Sequence, residues 1–184
     1  MLETLIDISW ISVQAIAMIL LADFVGGLFH WAEDTYGSED TPIWGPVFVR
    51  PNMVHHTQPN VMITIHWLKN NAILFTVAGV ISVVVWMAGA MTWQFAVFAL
   101  ASALNQQSHR FAHVPTVRLP WVIKMLQRWH VLQDARHHWQ HHKGGTSRYC
   151  SLTPYVNYAL DGTGFWRGLE RVLVPVLGQP RVAH

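Results

Sequence analysis

The sequence predicts an all-α fold: an integral membrane helical bundle of about three transmembrane spans, with interfacial amphipathic helices and a cytoplasmic, histidine-rich cap. Three observations predict it. Only 12% of the 184 residues are charged and 52% are apolar, against the roughly one quarter charged expected of a soluble domain, so this surface has too little charge to face water all round. Uncharged stretches of spanning length recur along the chain. Eleven histidines lie between His30 and His142, four of them within residues 137–142.

The first span is expected at residues 8–31. The apolar run begins almost at once, but Glu3 and Asp7 stand where a signal peptide would be basic, and no small-residue cleavage site follows. From Ile8 to Trp31 the one charge is Asp23; at ~1.5 Å per residue this helix is roughly 36 Å long, enough to cross a hydrocarbon core of ~30 Å. Acids inside spans are costly and face protein or a cavity. Asp23, His30 and Asp34 fall on one helical face, and Gly26 and Gly27 permit close approach of a neighbour. Taken singly, Asp23 at the interface and Asp34 as a helix cap are equally good readings.

Residues 36–59 carry Gly37, Pro42, Gly45, Pro46, Pro51 and Pro59, which predicts an irregular connection anchored by Trp44 and Phe48. It contains Arg50 and the adjacent pair His55 and His56, with His66 beyond. Adjacent histidines cannot share one helix face, so these serve two metals, or one metal and one supporting contact. Residues 70–109 carry no formal charge. As one helix they would be ~60 Å long, twice the core thickness, so two spans are expected, 70–88 and 91–109, turning at Ala88, Gly89 and Ala90. Asn105, His109 and His113 form a polar stripe at the end of the second arm.

After Pro115 and Pro120 the segment Trp121 to Gln133 reads as an amphipathic helix with Trp121, Met125, Trp129 and Leu132 on one side, Lys124 and Arg128 nearby, and His130 upon it. The closing segment, Tyr155 to Leu177, has the same character. Residues 1–184 are therefore expected to form a single domain, with 32–69 and 110–184 cytoplasmic or interfacial. All twelve lysines and arginines lie outside the first span and the tight turn. Three spans put every one of them, and every histidine, on one side, which the positive-inside rule makes cytoplasmic.

Within Arg136-His137-His138-Trp139-Gln140-His141-His142-Lys143, His137 with His141 and His138 with His142 have i,i+4 spacing, and His138 with His141 has i,i+3. Imidazole is mostly neutral at pH 7 and is the commonest protein metal ligand. A single cysteine, Cys150, excludes a disulfide framework and a cysteine-based metal cluster. Net charge is +2 and the basic residues are scattered, which argues against nucleic-acid binding. Eleven histidines are too many for one zinc site, and two ions sharing about eight imidazoles is the economical reading. Imidazole suits zinc, copper, iron and nickel alike. A site at the membrane surface has good reason to activate oxygen against an alkyl chain.

Several pieces carry a resemblance: Asp23 through Gly37, which contains Gly27-Leu28-Phe29-His30-Trp31 and Asp34; Val49-Arg50-Pro51 leading to His55 and His56; Asn105 to His113; Leu126-Gln127-Arg128-Trp129-His130-Val131; Arg136 to His142; Asn157-Tyr158-Ala159-Leu160; and Gly164-Phe165-Trp166-Arg167. In this order they resemble the Kua/CarF lipid desaturase family, which contains plasmanylethanolamine desaturase and a plastid phosphatidylglycerol trans-desaturase. The resemblance implies an oxygen-dependent desaturase holding two Fe ions, with O2 as co-substrate and an external electron donor of the cytochrome b5 or ferredoxin type. It implies catalytic and metal-ligating roles for His30, His55, His56, His109, His113, His138, His141 and His142, with Asp34. Weaker candidates are His66, where Trp67 follows in place of an aspartate found in many relatives, and His130 and His137. Asp23 and Asn105 would support the ligands, by orienting histidine N–H groups and by holding a metal-bound water.

The expected substrate is a membrane phospholipid, first an alkyl-ether lipid converted to a vinyl ether (a plasmalogen), second a phospholipid acyl chain. Hydroxylation by the same oxidant is a neighbouring enzyme reading, and a histidine-rich metal or haem-binding membrane protein is the non-enzymatic one. The short N-terminal extension suggests a bacterial inner membrane, or the endoplasmic reticulum in a eukaryote. Oligomeric state is not legible.

Overall fold

The computed structural model describes residues 2–181, and among them every regular element is helical. Helix α1 (Leu2–Tyr36) leads to a π-helix (Gly45–Val49) that runs directly into α2 (Arg50–Thr57). The short α3 (Val61–Thr64) is followed by the hairpin of α4 (Trp67–Met87) and α5 (Trp93–His113). A 3-10 turn (Thr116–Arg118), α6 (Trp121–Arg128), α7 (Ala135–Gly144), α8 (Pro154–Thr163) and α9 (Phe165–Leu177) complete the chain.

Two helices, α1 and α4, are long and apolar enough to cross a membrane. Only 6% of the most apolar stretch of α4 is buried. A core helix of a soluble protein would be covered by protein, so lipid is the solvent that suits these side chains. Helix α5 is as long as α4 and packs along both α4 and α1, but Asn105, Gln106, Gln107, Ser108 and His109 lower the hydropathy of its second half.

Two side-chain bonds fix the relative directions. Gln94 Nε2 donates to Gln14 Oε1 (2.7 Å) and, further along both helices, Asn105 lies against Gly26, so α5 runs parallel to α1. Asn71 Nδ2 donates to Gln107 Oε1 (2.9 Å), so α4 runs antiparallel to α5. The hairpin turns where Gly89 adopts φ +67°, and Thr92 Oγ1 caps α5 by accepting from Phe95 N–H. Trp67 and Trp86, at the two ends of α4, are about 29 Å apart along the axis, which matches a ~30 Å hydrocarbon core. Both are exposed, and Trp10 and Trp93 are exposed near the far end, as residues of an interfacial aromatic belt are.

Helix α1 is ~52 Å long, well beyond the 8–31 segment expected. Residues 6–13 and half of those from Gln14 to Leu21 are exposed, whereas Ala22, Asp23, His30, Trp31, Asp34 and Thr35 are buried. The lower third of α1 is therefore a post around which the cap is built. Asp23 does not orient a histidine, contrary to expectation: its carboxylate accepts from Leu152 N–H (2.8 Å), Thr153 N–H (2.9 Å) and Thr153 Oγ1 (2.9 Å). An extended segment, residues 149–153, is thereby pinned along α1. Asn157 clamps the same segment, its Oδ1 accepting from Cys150 N–H and its Nδ2 donating to Cys150 O. Trp166 stacks on Trp31, and Tyr149 packs edge-on against Trp166.

Gly27 makes this close approach possible. A Cβ there would collide with Cys150 Sγ and lie 3.3 Å from the Cys150 backbone, and the backbone cannot yield as a flexible side-chain tip can. Gly27→Ala is expected to cost about 1–3 kcal/mol, the usual range for overpacking. Thermal unfolding of the detergent-purified protein checks this, with Gly79→Ala, whose Cβ would meet nothing, showing no loss.

Several sequence expectations are corrected. The 36–59 connection is not irregular throughout: Pro46 falls in the first turn of the π-helix, where a missing N–H costs nothing, and Pro51 lies at the junction where the π-helix passes into α2. The amphipathic helix expected over Trp121 to Gln133 stops at Arg128, since His130 takes φ +58°. The closing segment is two helices rather than one, broken at Gly164, φ +68°.

Candidate metal centre

Helix α7 is delimited by two local signals. Asp134 Oδ1 accepts from His137 N–H (2.7 Å) at its start, and Gly145 closes it in the left-handed conformation. Between them, His138, His141 and His142 project toward the lower ends of α1 and α5. Helix α2 brings His55 and His56 to the same place.

Nine side chains form two adjacent groups. In the first, His55, His109, His113, His138 and His142 each offer one ligand atom within 4.8 Å of all the others. In the second, the same holds for His30, Asp34, His56 and His141. Both pairs of sequence neighbours divide between them. His55 and His142 belong to the first group and His56 and His141 to the second, because adjacent helical residues diverge by ~100°. The groups share walls, with the His30 and His109 rings 5.8 Å apart and His56 and His142 5.0 Å apart.

The donor atoms fit bound cations. His109 Nε2 lies 2.8 Å from His138 Nε2, which lies 3.1 Å from His142 Nε2. His141 Nε2 lies 3.4 Å from His56 Nε2. Nitrogens bound ~2.1 Å from one ion at right angles would be about 3 Å apart, so these spacings are edges of a coordination shell. Buried His30 Nε2, Asp34 Oδ2, both ring nitrogens of His55, and His113 Nε2 have no hydrogen-bond partner among the described residues. Orphaned donors at this density are costly unless something binds them.

Two backbone carbonyls set tautomers in the second group. His30 Nδ1–H donates to Tyr149 O (2.9 Å), and His141 Nδ1–H donates to Ser147 O (2.8 Å). A carbonyl only accepts, so in each ring Nδ1 carries a proton, which leaves Nε2 as the atom that can serve as a ligand. Asp34 completes the group, Oδ1 3.1 Å from His56 Nε2 and Oδ2 3.3 Å from His141 Nε2, with Asn52 Nδ2 donating to Oδ1. Burial holds His138 well below the usual imidazole range and His142 down to about 3, helped by neighbouring histidines. Both are neutral ligands at pH 7. Metal-free protein should therefore lose stability as pH falls below about 6.5, where the unfolded chain takes up protons these rings refuse. A melting series from pH 7.5 to 4 reads this directly.

The other expected residues lie elsewhere. His66 is exposed, its Nδ1 capping α4 by accepting from Leu68 N–H. His130 is exposed beyond α6. His137 turns away from both groups, its Nδ1 accepting from Arg148 (2.9 Å) while its Nε2 meets Asn157 Nδ2 (3.1 Å). Burial and the Arg148 guanidinium hold it down to about 4. Asn105 packs against Gly26, one turn above His109. Sequence reasoning missed the Tyr149 and Ser147 carbonyls, which no side-chain pattern announces. It also missed Asn52, which follows the Arg50-Pro51 pair, and the clamp made by Asn157.

The lipid desaturase domain family matches residues 19–183, nearly the whole described chain and all nine site residues. The chain belongs to the lipid desaturase family. It is 33% identical over 181 residues to plasmanylethanolamine desaturase 1 of Mus musculus, a match covering 89% of this chain and 65% of the mouse protein. It is 32% identical to a probable fatty acid desaturase of Acanthamoeba polyphaga mimivirus, covering 98% of this chain and 90% of that protein. Plasmanylethanolamine desaturase of Myxococcus xanthus is 27% identical, with 92% and 63% covered. The chain thus spans just under two thirds of the mouse and Myxococcus proteins. No solved structure matches. Family membership agrees with what the geometry offers by itself: two nitrogen-rich ligand groups side by side, one of them with a carboxylate, at the lower end of the helical bundle.

Proposed function

We propose that the chain is an oxygen-dependent lipid desaturase whose two ligand groups hold a pair of irons. The observation that carries this reading is the division of nine buried or half-buried ligand side chains into two touching groups, at the level where α4 and α5 meet the membrane interface. Zinc would satisfy the same imidazoles, but it has no redox chemistry, and desaturation is an oxidation. Iron accepts imidazole and carboxylate together.

Bound there, the iron pair would supply the oxygen activation that removes two hydrogens from adjacent methylenes. The balance is one CH2–CH2 unit, one O2, two electrons and two protons giving one CH=CH unit and two waters. The electrons come from an external one-electron carrier. The chain's own residues do the rest. His30 and His141 present fixed lone pairs, and the Asp34 carboxylate gives the second group a negative charge that the first lacks. Burial of His138 and His141 keeps bulk water from the ions. Phe29, Trp44 and Phe48 form a run of aromatic contacts, an apolar surface against which an alkyl chain can lie. Arg50, at the start of α2, is held by Glu39 (3.1 Å) and stands ready for a lipid phosphate.

The substrate proposed is an alkyl-ether phospholipid, converted to a vinyl ether. This is supported by the names of the mouse and Myxococcus relatives. Acyl-chain desaturation is the second reading, favoured by the mimivirus relative and by fatty acid desaturase 4 of Arabidopsis thaliana, 32% identical over 170 residues. By the positive-inside rule the histidine end faces the cytoplasm, in a bacterial inner membrane or, in a eukaryote, the endoplasmic reticulum. A host fed alkyl-ether phospholipid and expressing the chain should accumulate acid-labile lipid two hydrogens lighter, in air and not under argon. A product one oxygen heavier would make it a hydroxylase, and an unchanged ether pool with altered acyl chains would move the substrate to the second reading.

A further inference from the structure

We infer that the outer face of α7 is the docking surface for an acidic one-electron carrier protein. The inference rests on the desaturase reading above, which requires two electrons per double bond from outside the chain. Helix α7 is two-faced. His138, His141 and His142 point to the ligand groups, while Arg136, Trp139, Gln140 and Lys143 are all exposed on the other side. Their spacing of i, i+3, i+4 and i+7 makes one continuous stripe.

This stripe has the chemistry of an interface for an acidic protein. Helix α7 contains no carboxylate, and the one at its N-cap, Asp134, is turned onto the His137 N–H. No ion pair joins Arg136 or Lys143 to a carboxylate among the described residues. Trp139 remains 47% exposed at the centre of the stripe. Exposed tryptophan flanked by basic residues is the composition of a binding hot spot. Its ring also lies over the His142 ring, centroids 5.7 Å apart and planes 30° from parallel. The protein between a docked carrier and the first ligand group is then a single helix, ~10 Å across with its side chains.

The direction of the stripe favours a protein over a membrane. The histidine face of α7 meets the lower ends of α1 and α5, through His30 and His109, where these helices leave the lipid. The opposite face points away from the bundle. Positive charge there would steer an acidic partner and make association fall with ionic strength.

The test compares the iron-loaded wild-type chain with R136E/K143E and with W139L, all in nanodiscs of neutral phospholipid. Two probes are used, a plant-type ferredoxin and the soluble domain of a cytochrome b5. Wild type is expected to bind at least one of them with a Kd that rises with salt. R136E/K143E should raise that Kd at least tenfold and flatten the salt dependence, and W139L should slow carrier reoxidation under O2. Iron content and reduction by dithionite should match wild type in both. Equal Kd and equal salt dependence in the charge-reversed chain would overturn the proposal, as would failure of wild type to bind either carrier. An effect seen solely in anionic nanodiscs would reassign the face to the membrane and equally overturn it. Binding is read whether or not lipid is turned over, so loss of the desaturase reading would show separately as absent product.

Discussion

His138→Ala is expected to abolish lipid turnover and to release the ion of the first ligand group, taking iron from two per chain toward one. His138 is fully buried and its Nε2 is the shared neighbour of His109 Nε2 and His142 Nε2. Its ring also packs against that of His113, centroids 4.7 Å apart. Loss of an outer support typically costs 10–100-fold in metal affinity, so loss of a direct ligand should exceed ~100-fold. Iron per chain by elemental analysis is the readout, with His66→Ala and His130→Ala as controls. Both control residues are histidines of the same chain, both are exposed, and both should leave iron unchanged. A His138→Ala chain that keeps two irons would remove this residue from the centre.

The second large effect is Asp34→Asn. The substitution preserves size and one acceptor oxygen but removes the only carboxylate in either group. His30, His56 and His141 would then face the ion as three imidazoles, without the carboxylate charge that offsets a divalent cation. Iron in the second group should fall by at least ~100-fold in affinity, leaving the first group filled. Because Asn52 still finds an acceptor, the apo-protein should melt within a few degrees of wild type. The contrast with His138→Ala is informative. Each variant should lose a different ion, and their spectra should be complementary. If Asp34→Asn lost both ions together, the two groups would be one cooperative site instead of neighbours.

Much of this centre was legible because helical spacing is a local property. His109 with His113, and His138 with His142, are i,i+4 pairs, and both pairs stand together in the first group. The divergence of His55 from His56 was equally readable, since adjacent side chains on a helix cannot face one point. What escaped was set by distant chain. Asp23 looked like a support for histidine because it shares a face with His30 and Asp34, yet its partners are backbone N–H groups of Leu152 and Thr153, 129 and 130 positions away. His66 and His130 were weaker candidates carried by the resemblance, and both side chains are exposed, His66 as the cap of α4 and His130 in the turn after α6. The π-helix before α2 and the carbonyls behind His30 and His141 have no side-chain signature at all. The bundle was read more fully than the cap, because lipid imposes a length and a composition on a span while the cap depends on long-range fit.

The most direct test of the account is the location of metal in the purified protein. Anomalous X-ray scattering at the iron edge, from crystals grown after aerobic expression with iron, should show two peaks. One should lie among His55, His109, His113, His138 and His142, and the other among His30, Asp34, His56 and His141. A single peak, or iron at His66 or His130 with these nine side chains bare, would contradict it.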